Sequence, residues 1–233
     1  MTRTSNPSRF SQSIVLRTPS VRTGINYSSE QSIQSTHVPF VFDAPRGSFA
    51  NGRLRAHIAK QNLQVNAILE AILEALPDEA PTDVAIAAED DVLVMFTAST
   101  NAYVRPKYYT GAELVLGKIV STWNYAAVQV YGKLKLYYDS KAPVAREVLL
   151  KQIRDLSNHS QSKIKGSNVD GENPKPWVVE DAPEKYIDIM MRNIVGIQIE
   201  ISSIQGKFKM SWELGTVVVR GCGQGLCGSG KWN

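Results

Sequence analysis

The chain lacks any run of about 20 apolar residues, so no segment is long enough to cross a bilayer as a helix. It has only two cysteines, Cys222 and Cys227, which argues against a disulfide-stapled secreted fold and favours a reducing compartment. No HExxH or GxSxG motif is present, and no GxGxxG follows a predicted strand. The sequence therefore predicts no metal site and offers no catalytic constellation of its own.

The basic excess of the chain is confined to its two ends. The formal net charge is +4, and residues 1–29 hold four arginines and no acid. Residues 30–214, in contrast, hold 20 basic and 22 acidic residues. A domain that binds duplex DNA neutralises phosphates with clustered Lys and Arg. We therefore expect any DNA binding to be weak, indirect or confined to the N-terminal arm.

Composition divides the chain into three parts. Residues 1–30 are rich in Ser and Arg, which predicts a disordered or atypical arm, or a mitochondrial transit peptide. Residues 31–214 carry the periodicity of a folded domain, and residues 215–233 form a Gly-rich flexible tail. The tail contains Gly225-x-x-x-x-Gly230-Lys231, but Trp232 takes the hydroxyl position of a phosphate loop, so we predict no nucleotide site there. We expect a cytoplasmic protein, with mitochondria as the alternative.

Periodicity predicts about six strands and three helices, arranged as an antiparallel, mainly β fold with peripheral helices. The predicted strands are 33–43, 92–98, 102–104, 120–138 and 195–201, with a last one after a turn at Gln205-Gly206. The predicted helices are 62–76, 143–156 and 181–193, the last opened by the capping box Asp181-Ala-Pro-Glu184. In 120–138 the even positions face a core and the odd positions are aromatic and then basic. Gly132 indicates a bulge or bend in that strand.

Two segments concentrate groups that suit an anionic, planar ligand. Arg55 and His57 lie two residues apart on an extended segment, so they share a face. Thr122 and Asn124 fall on the apolar face of their strand and need partners, either neighbouring backbone or a ligand. Trp123 points the other way and indicates a subunit interface or a stacking surface, with Lys118 and other basic residues supplying positive charge nearby.

Several sequence blocks stand in a fixed order within 31–214. They are His37-Val-Pro-Phe40, Leu54-Arg-Ala-His57, Tyr103-Val-Arg-Pro106, Lys118-Ile-Val-Ser-Thr-Trp-Asn-Tyr125, Pro176-Trp177, Ile194-Val-Gly-Ile197 and Gly206-Lys-Phe-Lys209. Together they resemble the PaiB family of transcriptional regulators, also described as FMN-binding proteins, and most closely its fungal branch. Ala56 stands where the family commonly has Gly, and Ser121 where it commonly has Pro. The helix and strand that the family has upstream of the His37 block are not recognisable in this sequence.

The resemblance implies a split β barrel that dimerises and holds flavin at the subunit interface. It implies FMN as the cofactor, with Arg55 and Lys118 on the phosphate side. It also implies that His57, Thr122, Trp123 and Asn124 lie near the ring or the ribityl chain. A flavin-linked regulator or sensor, with a negative role in transcription, is the function implied, and a flavin-dependent oxidoreductase is the alternative.

Overall fold

The computed structural model describes residues 10–17, 33–47, 49–75, 86–99, 101–106, 120–164 and 177–209. In these residues the chain forms eight strands, three α-helices and one 3₁₀ turn. The strands are β1 (Phe10–Arg17), β2 (Ile33–His37), β3 (Val41–Asp43), β4 (Arg53–Ala59), β5 (Ile86–Ala98), β6 (Ala102–Val104), β7 (Thr122–Tyr137) and β8 (Ile194–Lys209). The helices are α1 (Leu63–Ala75), α2 (Pro143–Ile164) and α3 (Glu184–Arg192), and the 3₁₀ turn is Val179–Asp181.

The strands form one mainly antiparallel arrangement. Their order is β2-β1-β5-β7-β8-β4-β3, and β6 pairs with β7 beside this path. The pairs β1–β2, β3–β4, β4–β8 and β6–β7 are all antiparallel. The predicted fold class, an antiparallel sheet with three added helices, is confirmed.

The contacts of the chain divide it into two compact units, built from segments that alternate along the sequence. The smaller unit contains the described residues of 95–129 and 205–209, together with 10–11. The larger unit contains the described residues of 12–94 and 130–204, and all three helices belong to it. Each unit is described below by itself.

Strand β7 has the predicted two-faced pattern. Its even positions Ala126, Val130, Leu134 and Leu136 are buried, whereas the side chains between them are more exposed. Gly132 was predicted to mark a bulge or bend, but its lack of a side chain serves the close approach of a neighbouring strand. A Cβ at that position would lie 2.3 Å from the carbonyl oxygen of Glu200 and 2.8 Å from the side chain of Ile199, so the glycine allows β8 to approach closely.

The predicted bounds agree with α1 at both ends to within one residue and with α2 at its start. Asn62 caps α1, since its side-chain oxygen accepts a hydrogen bond from the Gln64 N–H at 2.9 Å. Helix α2 continues to Ile164, whereas its predicted end is residue 156. Once a helix is formed, adding polar residues to an exposed end costs little, and no apolar periodicity is needed to mark it.

The predicted capping box at Asp181 is also corrected. The N-cap of α3 is Pro183, without a side-chain hydrogen bond. Asp181 instead closes the 3₁₀ turn, where its carboxylate accepts a hydrogen bond from the Val178 N–H at 2.9 Å. Asp181 therefore accepts its backbone hydrogen bond in the 3₁₀ turn that precedes α3, and not at the start of the helix.

Two further strand predictions change. The turn expected at Gln205-Gly206 is absent, and β8 runs without interruption to Lys209. The apolar positions switch from odd to even numbers there, at the point where the chain passes from the larger unit to the smaller one. A change of face within one strand was therefore mistaken for a hairpin. In addition, residues 10–17 of the predicted N-terminal arm form β1, which pairs with β2 from Ser13↔His37 to Arg17↔Ile33.

Candidate functional site

Strand β4 presents its polar side chains on one face. Arg53, Arg55 and His57 alternate with the buried apolar residues Leu54, Ala56 and Ile58, so both faces of the strand are packed. The pairing with β8 sets Arg55 opposite Gln198 and His57 opposite Gly196. This register brings the polar face of β4 beneath helix α2, which also contacts β3.

Arg55 is buried and already has partners within the protein. Only 5% of the residue is exposed. Its guanidinium donates to both carboxylate oxygens of Asp43 at 2.7 Å and to Asp155 at 2.6 Å. A further hydrogen bond reaches the side-chain oxygen of Gln152 at 3.2 Å. These contacts use most of the five donors of an arginine.

The surrounding groups complete what we call the arginine cluster, consisting of Asp43, Arg53, Arg55, Gln152 and Asp155. Arg53 lies 2.6 Å from Asp43, and the Gln152 amide donates to the Arg55 carbonyl oxygen at 3.1 Å. Lys151 adds an exposed contact to Asp155 at 2.7 Å. The cluster therefore fastens α2 to β3 and β4 with paired charges and hydrogen bonds.

The titration of the cluster follows from these contacts. Burial acts to raise the pKa of Asp43, but hydrogen bonds and charges from Arg55 and Arg53 outweigh it and hold that pKa below its usual range. Burial likewise opposes the charge of Asp155, and Lys151 and Arg55 overcome it, so the pKa of Asp155 is also lowered. Both carboxylates remain charged at neutral pH.

His57 differs from Arg55 because one side of its ring has no hydrogen-bond partner within the part of the chain that the structure describes. The Nδ1 atom is buried and has no hydrogen-bond partner among the described residues. Opposite it stands Gly196, whose missing side chain leaves Leu149 and Tyr137 close to the backbone of β8. Burial lowers the pKa of His57, so the imidazole is neutral at neutral pH. An unsatisfied buried nitrogen costs about 1–3 kcal/mol, so it is a position where a ligand hydrogen bond would be favourable.

In the smaller unit, β6 and β7 place two aromatic side chains opposite each other. Tyr103 pairs with Trp123, and they are 60% and 50% exposed, respectively. We call these two residues the aromatic pair. Directly opposite residues of an antiparallel ladder have Cβ atoms about 4.5–5.5 Å apart, so the rings form one apolar surface. Exposed aromatic surface of this kind is typical of a stacking platform or an interface.

The other predicted residues of this segment face differently. Asn124, opposite Ala102, is only 4% exposed, and Thr122, opposite Val104, is half-buried. This agrees with the prediction that both polar groups lie on the inner face of β7. Lys118 lies outside the described residues, so its phosphate-side role stays a prediction.

Sequence reasoning missed several members of these two sites. It singled out Arg55 without finding its carboxylates, and it did not pair Tyr103 with Trp123. The signal for the first was available, because an arginine within a strand buried on both faces must be neutralised locally. The identity of the acids was not available, since Asp155 is 100 residues away from Arg55 along the chain.

Neither a metal-ligand cluster nor a bilayer-spanning helix occurs in the part of the chain that the structure describes. No group of three or more His, Cys, Asp or Glu side chains there is arranged to hold a metal ion. None of the helices there combines the length and the apolar character needed to span a bilayer.

The model of the family described as "Putative FMN-binding domain" matches residues 16–203. The chain belongs to this family. An uncharacterized protein of Aspergillus fumigatus is 42% identical over 200 residues, which is 83% of this chain and 76% of that protein. The protease synthase and sporulation protein PAI 2 of Bacillus subtilis is 29% identical over 122 residues, covering 52% of this chain and 48% of that protein. Among solved structures, a putative 5-nitroimidazole antibiotic resistance protein from Bacteroides thetaiotaomicron aligns with 85% of this chain and 76% of its own at 9% identity, with a TM-score of 0.39.

The family implies FMN, and the described residues can be compared with what FMN needs. A flavin offers hydrogen-bonding edges, a flat ring and a phosphate. In the larger unit, the buried Nδ1 of His57 has no partner among the described residues and offers a hydrogen-bonding atom. In the smaller unit, the aromatic pair offers flat apolar surface. Arg55 is a poor fit for the third, because a phosphate would approach a guanidinium already bound to two carboxylates.

Proposed function

We propose that this chain is an FMN-binding protein in which the flavin serves regulation or sensing. The observation that carries the proposal is the family match over 16–203, which takes in β4, β6 and β7, the strands that hold the described candidate residues. When bound, FMN supplies electron or hydride transfer, which is chemistry that the side chains of a protein lack. The protein would contribute binding, orientation and the exclusion of water.

Each candidate residue has a role that follows from its own surroundings. Trp123 and Tyr103 offer flat apolar surface for stacking, and Thr122 and Asn124 offer polar groups on the inner face of β7. His57 would use its buried Nδ1 as a neutral hydrogen-bonding atom. Lys118 is the phosphate candidate that the resemblance implies, whereas Arg55 is already bound to two carboxylates.

The decisive experiment is a titration of FMN with the purified protein, followed by flavin fluorescence and by the visible absorbance of the bound flavin. We expect saturable binding. Riboflavin, which lacks the phosphate, serves as the matched ligand, and Lys118→Ala should weaken binding of FMN more than binding of riboflavin. A protein that stays colourless and leaves flavin fluorescence unchanged at saturating concentration would refute the proposal.

We also propose that the protein forms a homodimer through exposed aromatic surface in the smaller unit. The support is the exposure of Trp123 and Tyr103, because contiguous apolar surface in water favours association. In sedimentation velocity, Trp123→Glu should shift the dimer toward monomer. Tyr186→Glu, at another exposed aromatic on α3, is the control that should leave the dimer intact. A wild-type protein that sediments as a monomer at micromolar concentration would exclude this assembly.

The regulatory role would not use direct sequence-specific contact between the folded body and DNA. Three basic residues of α2 that could face a duplex are paired with acids: Arg146 with Asp188, Lys151 with Asp155, and Arg154 with Glu180. A recognition helix needs such side chains for phosphates and base edges. Four arginines in 1–29 could still give weak, salt-sensitive attraction.

Fluorescence anisotropy with labelled duplex DNA at about 150 mM salt tests this view. Deleting the arm would also remove β1, so the informative variant replaces Arg3, Arg9 and Arg22 with Gln and keeps the full chain. We expect weak binding by the wild type and less by the variant. Tight, sequence-selective binding that survives in the variant would contradict the proposal.

A further inference from the structure

A small cavity lies in the larger unit, apart from the arginine cluster and the aromatic pair. Its volume is about 110 Å³. It opens where the turn preceding α2 meets helix α3. The lining residues are Ser140, Lys141, Arg146, Asp188, Met191 and Arg192. None of them was a candidate in the sequence, because they come from two segments about 50 residues apart.

The charge around this cavity is positive. Asp188 is the one acid in the lining, and its carboxylate is already 2.6 Å from the guanidinium of Arg146. No acid among the described residues forms an ion pair with Lys141 or Arg192. The nearby Asp139 accepts a hydrogen bond from the Lys141 backbone N–H at 2.9 Å. The lining thus has two positive groups in excess, in a body of the chain whose overall balance is slightly acidic.

The walls of the cavity are held in place by the fold. The turn on one side is closed by the hydrogen bond from the Ala142 N–H to the Asp139 carbonyl at 3.1 Å. Met191, which is 1% exposed, forms the apolar side, and Arg192 stands in the last turn of α3. Fixed walls lower the entropy that a ligand must lose on binding.

We propose that this cavity is a binding site for a small oxyanion, of which inorganic phosphate is the simplest example. Arginine donors match the geometry of phosphate and carboxylate oxygens, and Lys141 adds a second cation and Ser140 a hydroxyl. The volume corresponds to several water molecules, each with a share of about 30 Å³ in the liquid. It is too small for a flavin ring, since sites for ligands of that size are on the order of 300–1,000 Å³. The inference does not depend on FMN binding.

The ordinary explanation is a solvated crevice beside the Arg146–Asp188 ion pair, and the two explanations differ in their response to phosphate. Thermal unfolding of the full-length protein would be followed by circular dichroism in potassium phosphate and in potassium chloride of equal ionic strength. At ten times the Kd, binding to the folded state should raise Tm by about 3–6 °C. Phosphate also stabilises many proteins nonspecifically, so the comparison between variants is decisive.

The test variant is Lys141→Ala with Arg192→Ala, both at exposed positions outside any described ion pair. The matched control is Lys60→Ala with Lys185→Ala, which removes the same charge from two exposed positions outside the cavity. We expect the phosphate-specific rise in Tm to persist in the control and to disappear in the test variant, and phosphorus NMR line broadening should follow the same pattern. An equal rise in both variants, or no rise beyond that of chloride in the wild type, would overturn the proposal.

Discussion

The polar face of β4 and the outer face of the β6–β7 ladder were both predicted to contact an anionic, planar ligand, and they have opposite characters. Arg55 in the larger unit is buried and bound to two carboxylates. Trp123 and Tyr103 in the smaller unit are at least half exposed. A charged residue of a sequence motif can therefore be fully paired within the protein, whereas exposed aromatic side chains remain accessible to a ligand or a partner. The distinction matters because a substitution at the buried, paired residue should mainly lower stability, whereas a substitution at an exposed residue should mainly lower binding.

The largest effect should come from Arg55→Met. The substitution removes the buried partner of both acids and leaves Asp43 with Arg53 alone and Asp155 with Lys151 alone, which we expect to cost about 3 kcal/mol of unfolding free energy. The measurement is urea denaturation followed by circular dichroism. Lys135→Ala, which breaks the surface pair with Glu200, should cost less than about 1 kcal/mol.

Arg55→Met also tests whether Arg55 serves the fold or the ligand site. If Arg55 belongs to the fold and not to the ligand site, Arg55→Met should change stability far more than FMN affinity, measured below the temperature at which the variant unfolds. A stable variant that has lost FMN affinity would instead restore Arg55 to the phosphate site.

The next largest effect should come from Gly132→Ala in the larger unit. The new Cβ would lie 2.3 Å from a backbone oxygen of β8, so the strands must separate, at a cost of about 1–3 kcal/mol. Gly206→Ala in the smaller unit is the matched control, because the nearest atom there is a Phe208 ring carbon at 3.6 Å. Equal losses of unfolding free energy in urea would show that the close contact at Gly132 relaxes without cost.

A smaller effect is expected from the acid titration of His57. Burial lowers its pKa in the folded state, so the unfolded chain binds the proton more tightly. This contribution is fully present above the unfolded value of about 6.5 and is lost as pH falls below it, by up to about 1.4 kcal/mol per pH unit. His57→Gln should flatten the dependence of unfolding free energy on pH between about 5 and 7. An unchanged slope would mean that the pKa of His57 is the same in the folded and the unfolded chain.

The smallest effect on stability should come from Trp123→Ala, within about 0.5 kcal/mol in a monomeric background, because surface substitutions remove few contacts. Its effect on function should be larger. Loss of a stacking partner worth about 1.4 kcal/mol corresponds to a tenfold weaker FMN affinity, measured by fluorescence titration. Trp177→Ala, at another exposed tryptophan, should leave FMN affinity unchanged. Equal affinity in the wild type and in Trp123→Ala would assign the aromatic pair to association alone.

Much of the fold was predictable because it depends on local patterns. The alternation in β7 and the Asn62 cap of α1 are signals carried by neighbouring residues. The continuous course of β8 was not predictable, since its apolar residues change face where the strand passes from one unit to the other. The length of α2 was underestimated because its exposed end needs no hydrophobic residues.

The sequence by itself determined the mainly β class, the starts of α1 and α2, the family and the set of candidate residues, since each depends on residue identity, order and short-range spacing. Only the tertiary structure decided which candidates remain available. Asp155 reaches Arg55 across 100 residues, and Gly132 makes room for a backbone from a distant strand. Ion pairing and close packing act over ångströms in space and have no fixed separation along the chain. For that reason the fold pairs Arg55 with two carboxylates and leaves one nitrogen of His57 without a partner among the described residues.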